Sequence, residues 1–222
     1  DAVINCAAYT AVDKAETDAE TAYLVNATAS GNLARASQQH GAFMAHVSTD
    51  YVYDGRNYRP YNETDTVNPV YVYGKSKQAC EQEVLQSGAR AIIIRTSWLY
   101  SAFGNNFVKT MIKYGRERDA LNVVFDQAGT PTYARDLAKA ILDILPQAAA
   151  TGNTGIFHYS NEGVTSWYDF AKAIHELAGI NCRVSPIATK DYPSPAERPF
   201  FSVLDKSLIR NSFAIEIPYW RD

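Results

Sequence analysis

The sequence predicts an α/β fold built around a parallel sheet, and three observations carry that expectation. Four short apolar runs recur along the chain: DAVINCA (1–7), AFMAHVST (42–49), AIIIRTSWLY (91–100) and GIFHYSN (155–161). They are rich in branched and aromatic residues, as strands covered on both faces are. Segments of helical period lie between them, long enough to act as the crossovers that parallel strands require. This alternation of strand and helix argues for a parallel sheet.

Ala19–Gln39 is the first crossover helix, Pro69–Gln86 the second and Ala134–Leu145 the third. The second opens with a start signal, Asn68 as cap and Pro69 at the first position, where a missing N–H costs nothing. Further on, Asn106–Arg118, Ser166–Ala178 and Ser207–Phe213 read as helices. Short strands at Leu121–Phe125 and Arg183–Ile187 and a proline-rich loop, DYPSPAERP (191–199), separate them. These segments form a smaller second domain. The expected division gives residues 1–100, rejoined by 133–160, to the sheet domain, and 101–132 with 161–222 to the smaller one.

Composition narrows the function. The chain has 222 residues, 46% hydrophobic and 20% charged, which is enough apolar material for a sizeable core. A net charge of -3, evenly scattered, leaves no basic stripe to neutralise a phosphate backbone, so nucleic acid is not an expected partner. Apolar runs such as Ala91–Ile94 break at a charge, Arg95, far short of the roughly 20 residues a membrane span needs. Cys6, Cys80 and Cys182 make an odd number with no C-x-x-C pair. Neither a disulfide framework nor a metal site is expected, and a reducing, cytoplasmic setting fits.

The stretch YVYGKSKQACE (71–81) holds two overlapping Y-x-x-x-K frames, Tyr71 with Lys75 and Tyr73 with Lys77. At 100° per residue, Tyr73, Lys77, Cys80 and Val84 share one face of the helix, while Lys75, Gln78, Gln82 and Gln86 share the opposite one. Tyr73 and Lys77 are therefore the inward pair. A free phenol titrates near ~10, and an ammonium within roughly 4–6 Å favours its phenolate, so such a pair is suited to proton transfer. The same spacing also describes a core tyrosine beside a snorkelling lysine. Ser48, Thr49 and Asp50 decide between the two, because HVSTDYVYDG puts them at the carboxyl end of a strand, where open α/β sheets bind ligands.

Seven segments span nearly the whole chain: NCAAYTAVDKAE (5–16), STDYVYDG (48–55), NPVYVYGKSK (68–77), RTSWLY (95–100), GNNFVKTM (104–111), DQAGTPT (126–132) and YPSPAERP (192–199). Through them the sequence resembles the extended short-chain dehydrogenase/reductases, and within these the dTDP-4-dehydrorhamnose reductases. The resemblance implies a Rossmann-like, doubly wound parallel sheet with a smaller α/β substrate-binding domain. It implies reduction of the C4 keto group of dTDP-4-dehydro-L-rhamnose with NADPH or NADH. Tyr73 would be the proton donor, Lys77 would hold the nicotinamide ribose and acidify the phenol, and Thr49 would bond the keto oxygen. Ala8, Tyr9, Thr10 and Val47 would border the cofactor; Asp50, Trp98, Asn106, Gln127 and Arg198 would meet the dTDP-sugar. A homodimer is compatible with the resemblance.

Some of these residues have structural uses as well. Trp98 also reads as a core residue at a strand end, Asn105 or Asn106 as a helix cap, and Arg198 as half of a surface ion pair. His46 and His175 read as non-catalytic. The sequence departs from the family in one respect: no G-x-G-x-x-G or related turn occurs anywhere in it. The expectation is that about 50 preceding residues, two βα units, carry that turn, and that the chain binds cofactor poorly without them. Two other functions share this pattern: a non-catalytic subunit like the regulatory subunit of methionine adenosyltransferase, and a sugar-nucleotide epimerase. A 4,6-dehydratase would need Asp-Glu after Thr49, and here Asp50 is followed by Tyr51.

Overall fold

In the computed structural model, residues 1–192 and 194–222 are described; Pro193, part of the YPSPAERP motif, lies outside the described residues. Four parallel strands, β1 (Ala2–Asn5), β2 (Phe43–Thr49), β3 (Ala91–Thr96) and β8 (Gly155–His158), form one sheet in the order β1-β2-β3-β8. Helices cover both of its faces. On one side lie α1 (Val12–Ala15), α2 (Ala19–Tyr23), α3 (Ala29–Gln39) and α4 (Val72–Gln86); on the other lie α6 (Ala134–Thr151) and α8 (Ser207–Phe213). Ile92 and Ile94 face the α6 side and Ile93 the α3–α4 side, as the two-residue period of a strand requires. Each is fully buried, which contributes on the order of 1.5–3 kcal/mol per side chain.

The first crossover is not one continuous α-helix. A π-helical turn, Leu24–Thr28, joins α2 to α3 and buries Asn26 and Ala27. The second begins three residues later than expected, at Val72, and the Asn68-Pro69 start signal is not used. Tyr71 occupies the cap without a side-chain bond, and the Val72 amide donates to Glu16 Oε1 at 2.9 Å. A carboxylate brought in by α1 thus does the work assigned to a local cap. The third runs past Pro146 to Thr151 and stops at Gly152, which adopts the left-handed backbone of a helix end.

A second unit is built from α5 (Phe107–Glu117), α7 (Trp167–Leu177) and a parallel pair, β5 (Ala120–Val124) and β10 (Arg183–Ile187). Four short strands, in two pairs, connect it to the sheet: β4 (Leu99–Tyr100) pairs with β7 (Thr132–Tyr133), and β6 (Ala128–Gly129) with β9 (Thr165–Ser166). The segment 161–222, expected whole in this unit, is divided between the two cores: Trp220 packs in the α5–α7 core, and α8 does not. Ile209 and Phe213 of α8 bury in the sheet's own core, because the face of β8 and α6 needs an apolar cover there.

Candidate active site

The carboxyl ends of β1, β2 and β3 open into a cleft of about 470 Å³. Its walls include Cys6, Ala8 and Thr10 after β1, Val47 to Tyr51 from β2 onward, Tyr73 and Lys77 on α4, and Thr96 to Tyr100 after β3. Asn105 and Asn106 close the far side, at the start of α5. The inward stripe of α4 is therefore real: Tyr73, Lys77, Cys80 and Val84 are all buried, while Lys75, Gln82 and Gln86 are exposed. Gly74 lets the helix approach this closely, since a Cβ there would lie 2.2 Å from the Tyr51 carbonyl oxygen.

Thr49 ends β2 and caps the short turn Asp50–Val52. Its hydroxyl accepts from the Tyr51 amide at 3.2 Å and donates to Asp50 Oδ1 at 3.0 Å. Asp50 is buried and its Oδ2 has no partner among the described residues. Burial raises its carboxyl to about 6, against the hydrogen bond from Thr49, which favours the anion. Burial also raises the Tyr73 phenol to about 12; the nearby Thr49 hydroxyl works against the rise, and the Asp50 charge adds to it.

Lys77 sits beneath the phenol and is almost wholly enclosed. Its Nζ donates to the Val47 carbonyl at 2.8 Å and lies 3.1 Å from His46 Nε2. Burial lowers its pKa, opposed by Cys80, Glu81 and Cys6. The acidified phenol expected from the spacing is therefore absent in this state. The amine is committed to β2, and desolvation dominates the tyrosine.

A family model described as the RmlD substrate binding domain matches residues 1–222. The chain belongs to this reductase family. Among its relatives, dTDP-4-dehydrorhamnose reductase of Aggregatibacter actinomycetemcomitans is 43% identical over 99% of this chain and 77% of its own. The Escherichia coli K12 reductase of that name is 40% identical over the whole of this chain and 76% of its own. A crystal structure of the Bacillus anthracis enzyme in complex with NADP superposes with a TM-score of 0.92 at 41% identity, covering 98% of this chain and 76% of that one. UDP-glucose 4-epimerase of Brucella ovis, at 19% identity and a TM-score of 0.83, shares the fold.

Thr49, Asp50, Tyr73, Lys77, Val47, Ala8, Thr10, Trp98 and Asn106 all line this one cleft. Three expected residues stand apart from it. Tyr9 turns its hydroxyl to Asp18 Oδ2, 3.0 Å away, and only its backbone faces the loop, held by Asn26 Oδ1 at 2.8 Å. Gln127 is buried and donates to Thr189 Oγ1 at 3.1 Å. Arg198 grips Asp13 with both nitrogens, at 2.9 and 2.7 Å, strapping the YPSPAERP loop to α1. Asn106 lines the cleft and also caps α5, accepting from the Lys109 amide at 3.1 Å.

Several supporting residues had no legible signal in the sequence. Asn26, in the π turn, donates to Ser76 Oγ at 2.9 Å and so joins the NCAAYT loop to α4. Glu81 takes a buried bidentate bond from Arg95, at 2.9 and 2.7 Å, and a 2.5 Å bond from Ser48. Trp167 stacks on Trp98 with ring centroids 3.6 Å apart. Trp98 itself has φ 47, a left-handed backbone that costs a tryptophan energy and turns its ring to the cleft rim. Only Glu81, one position off the stripe of Cys80 and Val84, could have been found from the helical wheel.

Proposed function

We propose that this protein reduces the C4 keto group of dTDP-4-dehydro-L-rhamnose to give dTDP-L-rhamnose, with a reduced nicotinamide cofactor as hydride source and Tyr73 as proton donor. The observation that carries this reading is the convergence of Thr49, Tyr73 and Lys77 on one cleft at the sheet's carboxyl end, in a chain of this family. The cleft's lining suits such a cofactor, with Tyr73 and Lys77 on one wall and the strand-end residues Ala8 and Thr10 on another. When bound, the cofactor supplies hydride to the carbonyl carbon.

The residues of this chain then manage the proton. A phenol held at about 12 is fully loaded at neutral pH, as a donor must be. As negative charge grows on the keto oxygen, Tyr73 passes its proton there, and the Lys77 ammonium offsets the phenolate left behind. Thr49 donates to the same oxygen once its hydroxyl leaves Asp50, which is easiest when Asp50 carries its own proton. The sheet unit holds the cofactor side, through Ala8, Thr10 and the Val47 backbone. The α5–α7 unit, with Trp98 and Asn106, receives the sugar nucleotide. The reaction belongs in the cytoplasm, where reduced nicotinamide is kept; no helix among the described residues is long and apolar enough to cross a membrane.

Mixing the full chain with NADPH and the keto sugar nucleotide, and following absorbance of the reduced cofactor, tests the proposal. Tyr73→Phe should lower kcat/KM by roughly 10²–10⁴. No oxidation by the unmodified protein at saturating NADPH, with the variant indistinguishable from it, would overturn the proposal.

A further inference from the structure

His46 lies beneath the cleft, fully buried, and reaches it only through wall residues, Lys77 above all. Its hydrogen bonds nevertheless fix where its single proton resides. The Ala7 amide donates to Asn5 Oδ1 at 3.1 Å, so the oxygen of that side-chain amide must face the backbone and its NH₂ the other way. The NH₂ meets Ser30 Oγ at 3.1 Å and His46 Nδ1 at 3.0 Å. A nitrogen facing an NH₂ donor has to present its lone pair, so Nδ1 is bare. Burial and the nearby Lys77 charge keep the ring neutral, with a pKa of about 3. Its one hydrogen is therefore on Nε2, which lies 3.1 Å from Lys77 Nζ and 2.9 Å from Cys80 Sγ.

We propose that Asn5 and His46 are positioning residues for Lys77: Asn5 locks His46 with its hydrogen on Nε2, and that N–H, aimed at Nζ, favours the uncharged amine. An ammonium has only hydrogens to offer and meets the ring's N–H donor to donor; an uncharged amine accepts that hydrogen and still donates to Val47 O. Lys77 thereby becomes a readier proton source for its neighbour. When Tyr73 has given up its proton, Tyr–O⁻ and Lys–NH₃⁺ become Tyr–OH and Lys–NH₂, with charge and proton conserved and the new lone pair met by His46. The charged and titratable groups around this proton are Cys6 from the loop after β1, His46 from β2, and Tyr73, Cys80 and Glu81 from α4, with Asp50 beyond the phenol.

The step with Tyr73 rests on the proposed reductase activity, but the tautomer does not, and it is measured first. Long-range ¹H–¹⁵N correlation on the full chain without cofactor should show His46 neutral, with Nδ1 unprotonated. A proton on Nδ1 overturns the proposal and leaves the reductase reading intact. Asn5→Asp replaces the NH₂ donor with an acceptor, so His46 should move its hydrogen to Nδ1 and offer Lys77 a lone pair. Activity that needs the ammonium is lost as pH rises through the Lys77 pKa; in this variant the basic limb of the kcat/KM profile should move up by roughly one unit or more. The added charge is controlled by the double variant Asn5→Asp/His46→Gln, which has the carboxylate and no imidazole. A limb that stays put in Asn5→Asp, or one that moves equally in the double variant, overturns the proposal.

Discussion

The two cores of this molecule are built from different chemistry. Under the sheet the packing is mainly aliphatic, Ile92, Ile94, Leu137, Ile141 and Ile144 on one face with Phe43, Phe157, Tyr159 and Phe213 among them, yet near its cleft end the sheet takes in His46, Lys77, Glu81 and Arg95 at almost no exposure. The core between α5 and α7 is aromatic, with Phe107, Trp167, Phe170 and Trp220 around Trp98 and Tyr100. Proton chemistry needs groups that are desolvated and fixed within a few tenths of an ångström, and strands joined by polar bonds provide that. Recognition needs area and shape, which flat rings supply at low entropic cost.

Four substitutions would break or sharpen this contrast. The largest stability loss belongs to Glu81→Gln, which leaves the Arg95 guanidinium buried without its counter-charge. We expect about 3–5 kcal/mol, read from the urea unfolding midpoint. A loss below about 1 kcal/mol would mean that apolar packing, not the ion pair, holds α4 to the sheet.

Asp50→Asn should do the reverse. The folded protein raises this carboxyl from 3.8 to about 6, so its contribution to stability is fully present below 3.8 and is lost as pH climbs through about 6. At about pH 8 the asparagine variant should therefore be more stable by on the order of 1–3 kcal/mol. Thermal melts of the two proteins should converge below about pH 4, and an advantage that persists there would contradict burial of the charge as its cause.

In the aromatic core, Gly129→Ala puts a methyl 2.5 Å from the Trp98 ring. Displacing that ring should cost about 1–3 kcal/mol, change the tryptophan fluorescence and raise KM more than it lowers kcat. The smallest effect is expected at the rim. Asp13→Asn loosens a half-exposed pair with Arg198, worth at most about 1 kcal/mol, and calorimetric melts should barely register it.

The fold was legible because periodicity reports burial directly: the run Ile92 to Ile94 and the stripe Tyr73, Lys77, Cys80 and Val84 each marked their elements and their faces. Local end signals served less well. Asn68-Pro69 lost to a carboxylate arriving from Glu16, and Pro146 failed to stop α6, because tertiary contacts outweigh a single cap or a single missing bond. Within the site, the residues expected from short motifs lie on cleft walls, Tyr9, Gln127 and Arg198 excepted. Those that orient them were hidden, since Asn26 and Asn5 act across 50 and 41 positions of sequence, on Ser76 and His46, where no spacing rule connects them.

The bond between Glu81 and Arg95 has one further effect. It rivets α4, which carries Tyr73, to β3, and through Ser48 to β2, which ends in Thr49. Buried charges are shielded from dissolved ions, whereas the Asp13–Arg198 strap is not. Brine should thus slacken the strap between Arg198 and α1 while the gap between phenol and threonine keeps its width.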